Sequence, residues 1–276
     1  MSRRVLRQVG VYAGAVVTLV VIAFPLYGLL LTSLRPESEI RSPDVDFLPT
    51  SLQLDHYGEV LSSDHIVPVK EAMLNSLLVS GLTAVIAVAL ALPASYALHR
   101  LRLPGKRLLL AGLVSIYLFP TLLFIFPLYV EAVRFGLVDT FPGLILPYVA
   151  FILPFLIWVL GGFLRSVPVE VEEAALIDGA RRREVLTLVV LPLMRPGIVA
   201  ALLMGFILAW VEFLTPLLFT RQLKILTVTL GLYRSSDEIA IGQLAAAAML
   251  TAVPVILLTL VFQRTITRVI TAGVHR

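Results

Sequence analysis

The stretch of sequence that decides the fold runs from Thr140 to Leu164 and reads TFPGLILPYVAFILPFLIWVLGGFL. It holds 25 residues without one Asp, Glu, Lys or Arg. A bilayer core about 30 Å thick needs roughly 20 apolar residues in a helix, so this run is long enough to cross a membrane. The run is also continuous, whereas a membrane-spanning strand would alternate between apolar and polar residues over about ten positions. The stretch therefore predicts a transmembrane helix.

Five further stretches have the same character, and only the fifth of the six in chain order contains a charged residue. The six predicted spans are 9–34, 72–98, 108–130, 140–164, 197–219 and 239–263. Of the 276 residues, 59% are hydrophobic and 14% are charged, against about 25% charged in a soluble domain. This composition excludes a disordered chain and disfavours a soluble enzyme. The sequence predicts an all-α polytopic membrane protein with six transmembrane helices.

The basic residues indicate how the spans are oriented. An even number of spans places both termini on one side, and 15 of the 22 Lys and Arg residues fall there. Cytoplasmic loops carry an excess of Lys and Arg, which predicts cytoplasmic termini and explains the net charge of +4 without nucleic acid as a partner. We expect the first span to be retained, because its apolar run is too long for a signal peptide. The predicted segments outside the spans are the N-terminus 1–8, the extracytoplasmic loop 35–71, the cytoplasmic loop 165–196 and the cytoplasmic tail 264–276.

Motifs for nucleotide binding, metal binding and hydrolysis are missing from the sequence. The nearest approach to a phosphate-binding loop, around Gly105 and Lys106, lacks the first glycine and the hydroxyl residue of that motif. The chain has no cysteine and four scattered histidines, so we expect no metal site and no cofactor on this chain. If the protein moves a solute uphill, the energy comes from an ion gradient or from a separate subunit.

Glu212 is the one acidic or basic residue within the predicted spans. Ion-coupled transporters usually carry several acidic or histidine side chains in their spans, so a single carboxylate argues against coupling to a gradient. Two interpretations of Glu212 stay open. It forms an interfacial or interhelical hydrogen bond, or it lines a polar substrate path together with Trp210 and Phe213.

Residues 166–180 of the cytoplasmic loop read SVPVEVEEAALIDGA and predict a short helix. Pro168 suits the first turn of a helix, and the acidic residues that follow it, Glu170, Glu172 and Glu173, favour the positive end of the helix dipole. Gly179 then allows the chain to turn or a neighbour to approach closely. The pattern fits both a helix that enters a groove on a partner and an amphipathic linker that lies on anionic lipid.

The same loop resembles the EAA loop of bacterial ABC-importer permeases. The match is carried by Glu173-Ala174-Ala175, Asp178-Gly179-Ala180 and Leu191-Pro192, at the spacing of that family. Other segments from Asn75 to the C-terminus, among them Tyr96 with Arg100 and Asp139 with Thr140, resemble the carbohydrate-uptake branch. Within that branch, the chain is similar to the maltose-permease G-type subunits. One departure is Val211, which stands where the family usually has an asparagine in Trp-Asn-Glu-Phe.

The resemblance implies a transport subunit of the bacterial cytoplasmic membrane and not an enzyme. Residues 72–276 would form the permease core, with an EAA-type loop that docks on a cytoplasmic ATPase. The implied partners are a second permease subunit in a heterodimer, two copies of an ABC ATPase that binds ATP and Mg²⁺, and an extracytoplasmic sugar-binding protein. The implied substrate is a di- or oligosaccharide, moved by alternating access. The alternatives are an ABC permease for glycerol-phosphate or another polyol, and a gradient-driven transporter.

Overall fold

The computed structural model describes residues 3–42, 52–62, 67–118, 120–233 and 241–274. Within these ranges all regular structure is helical. The helices are α1 (Arg3–Ser33), α2 (Glu37–Ile40), α3 (Asp55–Leu61), α4 (Val69–Arg100), α5 (Lys106–Leu118), α6 (Thr121–Arg134), α7 (Phe141–Leu164), α8 (Val169–Ile177), α9 (Arg182–Glu184), α10 (Leu191–Leu193), α11 (Arg195–Trp210), α12 (Leu214–Phe219), α13 (Leu226–Leu232) and α14 (Ile241–Val274). A π-helical segment, Val185–Val190, joins α9 to α10.

Four of the predicted spans coincide with single helices. In the described part of the chain, the helices long and apolar enough to cross a membrane are Arg7–Ser33, Val69–Arg100, Phe141–Leu164 and Ile241–Gln263. A fifth candidate is the pair Arg182–Leu193 and Arg195–Trp210, whose two halves are bent by 79°. The all-α membrane class is confirmed, and the described residues form four or five candidate spans where the sequence predicts six.

The third and fifth predicted spans are each divided between two helices. Residues 108–130 fall on α5 and α6, and Pro120 precedes α6 with an extended backbone. Residues 197–219 fall on α11 and α12, which are separated at 211–213. The expectation of one continuous helix is wrong at both places. Proline gives the physical reason, because it lacks the backbone N–H that a continuing helix needs and its ring clashes with the carbonyl four residues earlier.

The break between α11 and α12 shows how the backbone is satisfied there. A continuous helix would require Pro216 to donate to the carbonyl of Glu212, which proline cannot do. That carbonyl instead accepts a hydrogen bond from Thr227 Oγ1 at 2.8 Å. Backbone groups inside a membrane must be satisfied within the protein, so this contact makes the break tolerable. Other prolines lie within uninterrupted helices, namely Pro25, Pro93, Pro127, Pro147, Pro154 and Pro254.

The chain divides into two compact units, of which the first comprises residues 1–70 and 229–254. Beyond Leu34 this unit contains the described parts of the predicted extracytoplasmic loop. His56 is buried, and its Nε2 lies 2.9 Å from the carbonyl oxygen of Arg35. Glu37 Oε1 accepts from the backbone N–H of Gly242 at 2.9 Å. Polar contacts therefore hold the segment after α1 against the first turn of α14.

The second unit comprises residues 71–228 and 255–276, and α7 lies at its centre. α7 packs against α5, α6, α11 and α12. Its core side chains Leu144, Leu156 and Leu160 are fully buried. Gly205 of α11 lies against Ala84 of α4, and a methyl group added at Gly205 would reach Ala84 in ordinary van der Waals contact. The predicted cytoplasmic loop 165–196 belongs entirely to this unit.

Candidate functional site

The predicted loop helix is present as α8 and has a defined start and end. Pro168 precedes it with an extended backbone, and Glu170 and Glu172 lie in its first turn. At its other end Gly179 adopts φ +91°, a conformation that favours glycine. The N–H of Ala180 donates to the carbonyl of Ala175 at 3.0 Å, and the N–H of Gly179 to that of Leu176 at 3.1 Å. These two bonds form a Schellman motif, so the predicted turn at Gly179 is confirmed.

The inner side of α8 carries a buried charge. Glu172 is 4% exposed, and its Oε1 accepts from Arg100 Nε at 2.7 Å. Tyr96 donates its hydroxyl to the other carboxylate oxygen at 3.2 Å. The same guanidinium donates to the carbonyls of Leu164 at 2.9 Å and Val167 at 2.6 Å. The sequence placed Glu172 only at the positive end of the helix dipole, and the structure adds this ion pair with the last residue of α4.

The outer side of α8 is free of such contacts. Glu173, Ala174, Asp178 and Gly179 are exposed, while Ala175 and Ala180 are partly buried. Neither Glu173 nor Asp178 makes an ion pair or a side-chain hydrogen bond with another residue in the part of the chain that the structure describes. Ile177 is 86% exposed, the largest value among the large hydrophobic residues of the described ranges. α8 therefore presents small, acidic and apolar groups side by side.

Sequence reasoning missed Ile177 as a surface feature. It lies between the two halves of the EAA-type pattern and is apolar, so the pattern alone suggests packing in a core. Its position in the last turn of α8, just before the Gly179 turn, carries it outward instead. The signal for it was the periodicity of α8, since the buried Glu172 and the residue five positions later cannot share a helix face.

The second half of the loop leads back toward the membrane-facing helices. Glu184 Oε2 accepts from the N–H of Arg181 at 2.6 Å and so closes the first turn after Gly179. The chain continues through α9, the π-helical segment and α10. Leu191 is partly buried and Pro192 is exposed, and the π-helical segment packs on α8. The predicted docking residues therefore fall on α8, on the turn that follows it and on α10, all within the same unit.

The three predicted path residues lie at the break between α11 and α12. Trp210 is buried and stacks on Phe206, with ring centroids 5.5 Å apart. Glu212 accepts from the N–H of Thr215, at 3.0 Å from Oε2, and thereby caps the start of α12. Phe213 is exposed. The structure thus gives Glu212 a role at a helix end, and it brings the exposed Phe213 next to it.

Within the described ranges, no group of three or more His, Asp or Glu side chains is arranged to hold a metal ion. Two of the four histidines, His65 and His275, lie outside the described residues.

The chain is similar to several known proteins. Residues 85–271 match the family described as binding-protein-dependent transport system inner membrane component. The trehalose transport system permease protein SugB of Mycobacterium tuberculosis is 36% identical over 253 residues, which cover 90% of each chain. The trehalose/maltose transport system permease protein MalG of Thermococcus litoralis is 30% identical, over 99% of this chain and 98% of its own.

A third relative and a solved structure agree with these two. The diacetylchitobiose uptake system permease protein NgcG of Streptomyces coelicolor is 37% identical over 93% of this chain and 85% of its own. The fold is similar to a chain in the crystal structure of a bacterial ABC transporter involved in the import of the acidic polysaccharide alginate. That likeness has a TM-score of 0.77 and covers 96% of this chain and 98% of the other, at 19% identity.

Proposed function

Because the chain belongs to the family of binding-protein-dependent transport system inner membrane components, we propose that it is the membrane-spanning permease subunit of an ATP-driven ABC importer. Its cargo is a sugar, and specifically a di- or oligosaccharide. Three relatives named for trehalose, maltose or diacetylchitobiose support this class of substrate. The subunit moves the sugar into the cytoplasm by alternating access and does not itself hydrolyse ATP.

The observation that carries the proposal is the outer surface of α8. A nine-residue helix with a capped end exposes Ile177 beside Glu173 and Asp178, and the fold uses none of the three in its own core. A small, partly apolar helix of this kind fits a groove on a partner protein. We infer that α8 is the coupling helix. The chain docks on the ATPase through Glu173, Ala174, Ala175, Asp178, Gly179 and Ala180, together with Leu191 and Pro192 of α10.

The partners follow from a transport subunit that has no energy source of its own. Two copies of a cytoplasmic ABC ATPase bind ATP and Mg²⁺, a second permease subunit completes a heterodimer, and an extracytoplasmic binding protein delivers the sugar. The excess of Lys and Arg on one side of the predicted spans supports cytoplasmic termini in the bacterial cytoplasmic membrane. Conformational change in the ATPase pair displaces α8. ATP shifts the complex toward the conformation to which ATP binds more tightly.

The substrate path is proposed at the break between α11 and α12. Glu212 and Phe213 line it, and Trp210 packs behind them against Phe206. An interrupted helix exposes backbone and polar groups that a continuous helix conceals, and membrane proteins tolerate such breaks where they are buried in protein or face a cavity. Val211 in place of the usual asparagine removes one amide from this region, so sugar preference differs from that of relatives with the asparagine.

The docking surface is tested by two substitutions and one control. Ile177→Ser removes the exposed apolar side chain and Glu173→Lys reverses an exposed charge, so neither disturbs the core. Leu52→Ser is the control, because Leu52 is 71% exposed but lies in the predicted extracytoplasmic loop. We expect the ABC ATPase that co-purifies with the unmodified chain to bind both docking variants at least tenfold more weakly and the control equally well. Normal assembly and uptake in both docking variants would refute the docking role.

The substrate class is tested on the binding protein that co-purifies with the complex. Its melting temperature is measured with trehalose, maltose, N,N′-diacetylchitobiose and glycerol 3-phosphate. We expect a disaccharide to raise it by several degrees, because a ligand that binds only the folded state stabilises that state. A shift with glycerol 3-phosphate alone would favour the polyol alternative. Uptake by liposomes that contain this chain without an ATPase would favour a gradient-driven transporter.

A further inference from the structure

Arg100 joins three parts of the second unit at one point. Its guanidinium is bonded to Glu172 in α8, at 2.7 Å. It is also bonded to the carbonyl of Leu164, the last residue of α7, and to that of Val167 in the turn before α8, at 2.9 and 2.6 Å. Arg100 itself is the last residue of α4. One side chain therefore connects the ends of two long helices to the short helix between the spans.

The chemistry of this contact favours a rigid connection. A guanidinium is planar and carries five N–H donors in fixed directions, so it can hold several acceptors at defined angles. The side chains of Arg100 and Glu172 are 13% and 6% exposed, which protects the ion pair from competing water. Tyr96, one turn earlier in α4, holds the second carboxylate oxygen at 3.2 Å. Glu172 is therefore fixed on both oxygens, and α8 cannot tilt away from α4 without breaking this pair.

We propose that Arg100 is a positioning residue that makes α8 and the ends of α4 and α7 move as one body. A displacement of α8 by the ATPase is then passed directly to two membrane-spanning helices. This proposal rests on the proposed function for the source of the displacement, but the rigid connection is a property of this chain alone. α8 also packs on the π-helical segment, which leads through α10 to α11.

A purely structural role for Arg100 makes a different prediction. In that case, loss of the contact lowers the amount of folded complex, while the molecules that do fold work normally. In the proposed role the folded molecules themselves are changed, because α8 moves without carrying α4 along. The two roles are separated by a distance between α8 and the end of α4, measured in assembled complexes only.

The chain has no cysteine, so two introduced cysteines are its only labelling sites. Glu170→Cys places a spin label on the exposed side of α8, and Arg102→Cys places one on the exposed turn directly after α4. The distance between the two spin labels is measured by double electron–electron resonance on the complete importer in nanodiscs, with and without ATP and vanadate. We expect a narrow distribution that stays within about 2 Å when ATP and vanadate are added.

Arg100→Lys keeps the charge but replaces the planar fork by a single ammonium group, which cannot hold all three acceptors. In this variant we expect a distribution at least twice as broad, with a maximum that shifts on addition of ATP and vanadate. In proteoliposomes we expect three- to tenfold more ATP hydrolysed per trehalose imported. Arg107→Lys is the matched control, because it makes the same change at an exposed position in α5, and it keeps the parent values.

The proposal is overturned if Arg100→Lys keeps both the parent distribution and the parent ratio of ATP to trehalose. Where Arg100→Lys fails to assemble, Glu172→Gln replaces it, since the amide keeps the size of the side chain but removes the charge that pairs with the Arg100 guanidinium. A broadened distribution in Glu172→Gln supports the connection, and an unchanged one overturns it. If no ATPase associates with the unmodified chain, the proposed function fails, while the width of the distribution in the permease alone still decides whether Arg100 holds α8.

Discussion

Asp139 offers a sharp test of how loops are held together in the second unit. It is the one non-glycine residue with positive φ in the described ranges, at +63°, and it lies in the turn between α6 and α7. Its carboxylate accepts from the backbone N–H groups of Arg221, Gln222 and Leu223 at 2.9, 3.0 and 2.8 Å. These three residues follow α12, so Asp139 ties two distant loops together. Asp adopts this backbone region more readily than most residues.

Three substitutions separate the carboxylate from the backbone conformation. A hydrogen bond to a charged group makes a net contribution of about 1.5–3 kcal/mol to stability. Of the three bonds, the one from Leu223 is partly shielded from water. The bonds to Arg221 and Gln222 are exposed, so water replaces much of them when the carboxylate is lost. Asp139→Gly should therefore lower the free energy of unfolding by about 2–4 kcal/mol. Asp139→Ala should lose about 1–2 kcal/mol more because of the positive φ, and Asp139→Asn about half as much as Gly.

The assay is thermal unfolding of the purified chain in detergent, followed by the fluorescence of its two tryptophans. With about 2 °C per kcal/mol for a chain of this length, the Gly variant should melt about 4–8 °C lower. The order of melting temperatures should be parent, Asn, Gly, Ala. An Ala variant as stable as the Gly variant would show that the positive φ is not strained. A Gly variant as stable as the parent would show that the three hydrogen bonds are replaced completely by water.

The same residue predicts a dependence on pH. The backbone N–H groups of Arg221, Leu223 and Gln222 hold the pKa of the Asp139 carboxyl below its usual range near 3.9. A carboxyl with a lowered pKa in the folded state stabilises the fold above the unfolded pKa, and this contribution is lost as pH falls through the folded value. The difference in melting temperature between parent and Asp139→Asn should therefore be constant above about pH 5 and shrink below about pH 4. A difference that does not change over this range would contradict the assignment.

Two further predictions use matched controls, and a third concerns Glu212. Gly143→Ala would place a methyl group against the backbone carbonyl of Leu137. We expect it to lower the free energy of unfolding by about 2–3 kcal/mol. Gly112→Ala is the control, because the space around Gly112 is open, and it should leave the stability unchanged. Thr227→Val leaves the carbonyl of Glu212 without its donor and should lower the free energy of unfolding by about 1–2 kcal/mol. Thr259→Val is the control, because the Thr259 hydroxyl bonds only within its own exposed helix, and the loss should be less than half as large. Glu212→Gln keeps an oxygen for the N–H of Thr215, so its melting temperature should change little. A threefold rise in the concentration of the transported sugar at half-maximal uptake would support a place for Glu212 in the proposed path. Unchanged uptake would assign it to the helix cap alone.

The spans that the sequence predicts well are those whose helices need nothing from elsewhere in the chain. The prediction 140–164 differs from α7 by one residue, and 72–98 lies within α4, because continuous apolar length is itself the cause of a spanning helix. The break at 211–213 contains Glu212, the one charged residue of the predicted spans, but a single carboxylate lowers the mean hydropathy of a window of about 20 residues too little to divide the span. Proline position narrows the choice but does not decide it, since Pro147 and Pro154 lie inside the continuous α7.

The candidate site divides in the same way. The Gly179 turn is a local consequence of a helix followed by glycine, and it was predictable from five neighbouring residues. The pairing of Glu172 with Arg100 was not predictable, because the two residues are 72 positions apart and the loop alone offers Glu170 and Glu173 as equal candidates. Helical periodicity predicts which residues of α8 share a face, but only the packing of α8 against α4 determines which face is buried.

The few charged and polar groups of this apolar chain explain why the outer side of α8 stands out. Arg100 supplies donors to the carbonyls where α7 ends, Asp139 supplies an acceptor to the N–H groups after α12, and Glu212 caps the start of α12. Each lies where a helix ends and completes main-chain hydrogen bonds that have no partner within a helix. Among the described residues, Glu173 and Asp178 complete no main-chain hydrogen bond with their side chains, and the end of α8 is already capped by the turn at Gly179. An exposed isoleucine beside carboxylates that make no contact within the described residues is therefore the reason for proposing this side of α8 as the docking surface.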